Sequence, residues 1–415
     1  MHAPRAISTT AQPLIEADDR DFASLSGVEG HCTDLPTIEG VDFCAFTSFE
    51  YVRAVWLKLH KASACTVYQS YEWQKAWFDT VGIVNNMSPL FVIGKRQEKA
   101  ILLLPFVIER RSGLTKATFA GGSHANYQMG LYDQTSLPMV ESILQPLMNN
   151  IAKQLSIDCF ELKKQPFYWD QQKNPMQVLG VNPSVNSGAS ANLQEGFQAL
   201  MKRGNAKRKR KILSRQERQL AEFGGYKFKK AETLDEAKRV FQEFINHKTP
   251  WFDDRGIKNP FEDDATQKFF HLLLTSTALE NSNPLLQMHF VESDGEFLAI
   301  SGSGEHDGQR FGYFTSINPN PIYAPVSPGA LNFYKLIEDA CKNDLRRFDF
   351  GVGEERYKSS WCDEDNQLFD IQLAVSLRGR LYIWQSRVIA DLKRFLRQNK
   401  TLWTIAKFFR KMLGR

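Results

Sequence analysis

Four titratable side chains crowd one short span of this 415-residue chain. Asp349 lies two residues before Gly351-Val352-Gly353, and Glu354, Tyr357 and Lys358 follow that turn closely. A carboxylate can take a proton from an attacking amine or hydroxyl, and a lysine can meet a phosphate or an acyl carbonyl. The two glycines permit a sharp turn and close backbone approach to a ligand. Upstream, Ser327-Pro328-Gly329-Ala330 reads as a helix N-terminus, whose unpaired N–H groups can hold a phosphate. The same residues also read as plain punctuation, a helix start and a loop. Asp349 reads equally as an ion-pair partner of Arg347 or Arg356.

The elements that must position these groups are legible around them. Ser327 is expected as an N-cap with Pro328 at the first helical position, and Leu331, Phe333, Ile337 and Ala340 recur at helical spacing. Residues 346–350 alternate polar and aromatic, which predicts a strand with Phe348 and Phe350 on one face and Arg347 and Asp349 on the other. Before them, 286–292, 296–305 and 310–317 read as a meander with turns at Asp294-Gly295 and Asp307-Gly308. Residues 234–247 and 265–279 read as amphipathic helices, with Trp251 in the loop between them. After the key span, 369–376 and 379–384 are expected as strands finishing the same sheet. In the first part of the chain, 90–94 and 100–108 predict a hairpin, and 119–133 forms a Gly-rich loop. His124, Asn126, Tyr127 and Asp133 of that loop are candidates to face an acceptor, although a polar loop with one solvated histidine fits the same residues.

The run SPGALNFYKLIEDA…RRFDFGVGEERYKSSW resembles the signature of the CelD/BcsL-type acetyltransferases, a branch of the GNAT superfamily related to the Fem-type peptidyltransferases. YQSYEWQKAWFDTVG at 68–82, LLLPFVIERRSG at 102–113, FAGGSHANYQMGLYD at 119–133 and RKRKILSRQERQLAEFG at 208–224 are similar to family blocks in family order, covering roughly 65–400. The resemblance implies a mixed α+β fold with two tandem GNAT-like domains, each a mostly antiparallel sheet flanked by helices. It also implies direct transfer of an acyl group, from acyl-CoA or acetyl-CoA as co-substrate, to an amine or hydroxyl. The acceptor implied is an amino sugar or amino acid of exopolysaccharide or cell-envelope synthesis. Ser327, Gly329 and Ala330 then face the donor, joined by Arg208 and Arg210, and Trp251 closes over the substrate. Tyr357 and Lys358 ahead of Trp361 are similar to a Fem-type element in which the lysine meets phosphate or acyl carbonyl, so Lys358 ranks first among the candidates. Aligning Gly329 with the last glycine of the GNAT phosphate motif places Ala324 and Ser327 at the other two positions, and Pro325 and Pro328 lack N–H donors. Fem-type relatives use an aminoacyl-tRNA donor, and a non-catalytic accessory protein would keep the double fold, so both stand as alternatives.

Length favours two domains. The expected division is an irregular extension at 1–45, a first domain at 46–192, a basic linking helix or broken helix pair at 193–223, a second domain at 224–386, and a basic amphipathic helix at 387–415. Six cysteines are scattered without a CxxC pair, so neither a zinc site nor a disulfide framework is expected. The net charge of +5 is uneven: 202–218 and 392–415 carry +8 each, which leaves −11 on the remainder. The first island suits a bulky phosphate on a ligand, and sequence-specific nucleic-acid binding is not expected. The second has the composition of a helix lying on an anionic membrane. No signal-peptide stretch or spanning segment is seen, so a cytoplasmic protein, peripheral to the inner face of the membrane, is expected.

Overall fold

The computed structural model describes residues 32–184, 186–203, 206–277, 283–353, 355 and 358–398, with side chains of 206 and 390–398 excepted. The expectations for Glu354, Tyr357, residues 1–31 and residues 399–415 lie outside the described residues. The architecture is mixed α+β, with two large sheets flanked by helices. Residues 32–45, expected as irregular, belong instead to the hairpin β1 (Cys32–Ile38) and β2 (Val41–Phe46). Leu35, Val41, Phe43 and Ala45 are buried there, and they supply the apolar face that holds the hairpin on the sheet.

The chain then runs through α1 (Phe49–Ala62), α2 (Tyr71–Trp77), β3 (Ser88–Arg96), β4 (Lys99–Arg111), β5 (Leu114–Phe119), β6 (Leu131–Tyr132), α3 (Leu137–Gln154) and β7 (Cys159–Pro166). The small ribbon β8 (Tyr168–Trp169) and β9 (Gln172–Lys173) follows, then β10 (Asn182–Pro183) and β11 (Gly188–Asn192). Next come α4 (Phe197–Lys202), α5 (Ala206–Ala221), β12 (Lys227–Lys230), α6 (Leu234–Arg255), α7 (Asp264–Thr275), β13 (Gln287–Ser293), β14 (Glu296–His306), β15 (Gln309–Ile317), α8 (Pro328–Lys342) and β16 (Arg347–Val352). β17 (Glu364–Asn366), β18 (Leu368–Ala374) and α9 (Leu377–Gln398) end the described chain.

The first sheet has the order β1-β2-β3-β4-β5-β7-β18-β10, with β6 against β4; the second is β12-β13-β14-β15-β16-β11-β17. Each sheet thus takes a strand from the other half of the chain. β18 pairs antiparallel with β7, Leu368 opposite Pro166 through Ala374 opposite Cys159, rather than finishing the second sheet. In exchange, β11 pairs with β16 and β17. Residues 379–384, expected as a strand, belong to α9, which packs against β5, β7 and β18. α6 continues through Pro250 to a left-handed Gly256 cap, so Trp251 is helical rather than in a loop.

α8 packs on β13, β14 and β15, with Leu331 in one cluster with Val291 and Leu298, while Leu336, Ile337 and Ala340 cluster with Phe348 and Phe350 of β16; each buried leucine or isoleucine is worth about 1.5–3 kcal/mol. Ser327 occupies its N-cap position with a left-handed φ of 54° and no side-chain cap, while its carbonyl accepts a bond from Gln216 of α5. One apolar core runs between the halves: Trp73 meets Phe269 edge-on at 5.1 Å, and Tyr68 meets Phe311 at 6.0 Å.

Candidate active site

β15 and β16 are parallel, and their ladder contains only Gln309↔Arg347, Arg310↔Phe348 and Phe311↔Asp349. Beyond Phe311 the two strands part, so the edge of β15 from Gly312 onward faces an opening. The closed end is held firmly. Arg310, 2% exposed, donates to Glu305 at 2.7 and 2.9 Å and to Asp339 of α8 at 2.8 Å. From the first half, Asp170 accepts bonds from Gln309, Arg346 and Arg347 between 2.8 and 3.1 Å. Burial pushes the Asp170 carboxyl upward, but Arg346 and Arg347 hold it below its ordinary value.

The opening is a cavity of about 260 Å³, walled by Phe348 and Phe350 of β16, Phe333 of α8, Ser301 and Ser303 of β14, Asn126 and Lys248. Asn332, fully buried, donates from Nδ2 to Ser301 Oγ at 2.6 Å, while its Oδ1 and the Ser303 hydroxyl have no partner in the structure. Buried polar atoms of this kind are costly unless a ligand or water meets them. Lys248 and Thr315 also line a second groove of about 650 Å³, which continues past Trp251, Arg255, Ser327, Gly329 and Ala330 at the N-terminus of α8. Trp251 is sandwiched there, with Lys248 Nζ 4.7 Å and Arg255 Cζ 4.1 Å from its ring centre. No acidic residue occupies the first turn of α8. Two cations and a helix N-terminus therefore face one groove, an arrangement suited to phosphate.

Lys358 does reach the cavity, but it is not the exposed side chain that its place after a Gly-rich strand exit suggests. It is 4% exposed, and its Nζ donates to the carbonyls of Gly351 and Gly353 at 3.0 Å each and to Glu355 at 3.1 Å. All three ammonium hydrogens are thus engaged, and the residue holds the turn in shape. Asp349 points away from the cavity, between the halves, and pairs with neither Arg347 nor solvent. It accepts from Tyr127 Oη at 2.7 Å, the Gly351 N–H at 2.8 Å and Asn366 at 3.3 Å. Complete burial pushes its pKa up to about 6, with Tyr127 and Gly351 opposing. Asn126 donates to the Gly312 carbonyl at 3.3 Å and to Tyr68 Oη at 2.8 Å. Gly351, at φ 72°, permits this approach, since a Cβ there would lie 2.6 Å from Asn126 Nδ2.

The remaining candidates separate from this centre. His124 accepts from Trp77 Nε1 and lies 3.3 Å from Thr266 Oγ1; burial and Lys164 lower its pKa to about 4, so a neutral ring ties α2 to α7. Asp133 is occupied by Thr135, Ser136 and Lys99 at the entry to α3, which gives it a local structural role. Arg208 and Arg210 are exposed on α5 and line neither cavity. The sequence reading missed Lys248 and Arg255, whose spacing of three and four residues from Trp251 was a usable signal on a helix. It also missed Ser301 and Ser303, where the signal was a small polar run, SGSG, inside an apolar strand.

Residues 207–359 match the sequence family described as Acetyltransferase (GNAT) domain. No curated protein sequence matches the chain. Among solved structures, FemX is similar with a TM-score of 0.54 at 10% identity, covering 80% of this chain and 97% of its own. A conserved protein of unknown function from Bacteroides thetaiotaomicron VPI-5482 gives 0.49 at 10% identity, covering 79% and 97%. A tandem GNAT protein from the clavulanic acid biosynthesis pathway gives 0.45 at 9% identity, covering 81% and 99%.

Proposed function

We propose that the chain is an acyltransferase that carries an acyl group from an acyl-CoA thioester to an amine or hydroxyl of an amino sugar or amino acid, in exopolysaccharide or cell-envelope synthesis. The observation that carries the reading is the continuity of the two cavities. The groove beside the α8 N-terminus would hold the phosphates on Lys248 and Arg255, and the split between β15 and β16 would receive the acyl end. The open edge of β15 offers backbone groups to an extended donor and to the developing oxyanion. The acceptor attacks the thioester carbonyl, a new C–N or C–O bond forms, the C–S bond breaks, and the acceptor's proton leaves with the thiol by way of Glu355 or water. Lys358 and Asp349 act on this step by fixing the Gly351–Gly353 turn rather than by touching the reacting atoms. Calorimetric titration with acetyl-CoA, set against charged tRNA, tests the donor. Saturable acetyl-CoA binding that Lys248→Ala weakens supports the reading; binding of charged tRNA alone replaces the donor, and binding of neither favours a non-catalytic accessory protein. The aminoacyl-tRNA alternative draws support from α5, whose Lys207, Arg208, Arg210, Lys211 and Arg215 are all exposed.

Peripheral membrane contact is a second part of the proposal. Among the described residues no helix is long and apolar enough to cross a membrane. On α9, Leu377, Leu381, Trp384 and Val388 are exposed at helical spacing, between 47% and 80%, opposite the face that Ile383 buries. A helix with such a stripe, followed by basic residues, fits an anionic lipid surface. The full chain should sediment with anionic vesicles at low salt, and Leu381→Glu/Trp384→Glu should release it; equal sedimentation would remove the contact.

A further inference from the structure

Away from the acyl cleft, three side chains with metal-ligand atoms meet at the seam between the halves. His60 lies in the last turn of α1, Cys65 follows that helix, and His306 ends β14. Cys65 Sγ is 3.6 Å from His306 Nε2, the two imidazole rings are centred 4.5 Å apart, and ligand atoms of all three lie within 4.8 Å of one another. A tetrahedral ion about 2.3 Å from a thiolate and about 2.05 Å from an imidazole nitrogen sets those atoms about 3.6 Å apart. The Cys65–His306 separation equals that edge.

A thiol–imidazole hydrogen bond can have the same length, and His60 distinguishes the two. It is 9% exposed, its Nε2 has no hydrogen-bond partner among the described residues, and the Thr66 backbone bonds the ring. An unsatisfied buried nitrogen is costly, and a metal ion would remove that cost. The cluster opens on a cleft of about 630 Å³ walled also by Lys61, Gln134 and Gln172. Asp170 and Asp307 in the same wall are paired with Arg346 at 2.8 and 2.5 Å, which leaves water as the fourth ligand.

We infer that His60, Cys65 and His306 bind one divalent transition-metal ion of the zinc class, joining the first half of the chain to the second. Cys65 enters as the thiolate and gives its proton to solvent on binding. The probe is cobalt(II), added to the full-length chain after chelator treatment. One ion per chain is expected, with intense tetrahedral cobalt bands and thiolate-to-cobalt charge-transfer absorption that zinc displaces. Cys65→Ser and His306→Gln should remove the absorption and weaken zinc binding about a hundredfold or more, with far-ultraviolet circular dichroism unchanged. Zinc should raise the Tm of the wild-type chain and of neither variant. Absence of cobalt uptake by the wild-type chain, or an unchanged absorption in Cys65→Ser, overturns the inference. Should either variant unfold, the wild-type spectrum and stoichiometry decide it alone.

Discussion

Both sheets contain one parallel strand pair linked by a helix, yet the two splits are used differently. In the first half β5 and β7 pair only at Lys116↔Cys159 and Ala117↔Phe160, with α3 in the crossover. The 120–130 loop fills the space beyond. Lys164 Nζ donates to the carbonyls of Ser123 and Ala125 at 3.2 and 2.8 Å, and the Gln128 N–H bonds the Lys164 carbonyl at 3.1 Å. In the second half, Lys358 makes the matching grip on Gly351 and Gly353, but it holds back a short glycine turn and leaves the split open. A lysine anchoring two nearby carbonyls therefore recurs, half-buried in the first half and buried in the second, and the bulk of the anchored segment separates a plugged split from a ligand cavity. The plug is not idle, because it extends Asn126 and Tyr127 across the seam to Gly312 and Asp349.

The sharpest way to break this comparison is to remove each lysine. Lys358→Met should abolish transfer and cost about 2–4 kcal/mol, because two buried carbonyls and Glu355 lose their donor. Lys164→Met should cost about 1–3 kcal/mol and leave the donor dissociation constant within twofold; urea unfolding with donor titration of both variants reads the contrast. Transfer surviving in Lys358→Met would make the open split irrelevant to chemistry.

Asp349 gives a pH test of the seam. Its folded pKa, raised to about 6, favours the neutral form, so its stabilising contribution is complete below about pH 4 and is lost as pH rises through about 6. The loss is roughly 3 kcal/mol. Subtracting the stability of Asp349→Asn from that of the wild type between pH 4 and 7 should give that slope, whereas a flat difference would place the carboxyl at its ordinary value. Smaller effects follow at the rim. Gly329→Val should weaken the donor about tenfold, because an added Cβ would lie 3.1 Å from the Ile317 side chain at the helix start. Tyr127→Phe should cost about 1–2 kcal/mol and raise the apparent pKa of Asp349 further, measured by the same pH series.

What the sequence revealed follows from locality. The meander β13–β15, α8 and β16 were legible because alternation and capping are encoded over a few residues. The exchange of β11 and β18 was not: Gly188–Asn192 is a short run of small and polar residues without a strand signal, and the apolar pattern of Leu368–Ala374 marks a strand without saying which sheet receives it. Residues 379–384 alternate Leu381 and Ile383 with polar neighbours, which mimics a strand, but Leu381 is exposed on α9 while Ile383 packs inward. Pro250 does not end α6, because proline's φ suits a helix and only one N–H is lost. At the site, the Ser327–Ala330 turn was singled out by type and spacing and Lys358 by the family resemblance, and both line the cavities. The inward aim of Asp349 depends on Tyr127, 222 residues away in sequence, which no local pattern ties to it.

The exchanged strand has a consequence for biosynthesis. A chain leaving the ribosome completes β1 to β7 long before β18 exists, and domains ordinarily fold in the order in which they emerge. Here the inner edge of β7 must wait, bare, until residues 368–374 clear the exit tunnel. A fragment truncated ahead of residue 368 would therefore carry an unpaired, aggregation-prone edge on β7.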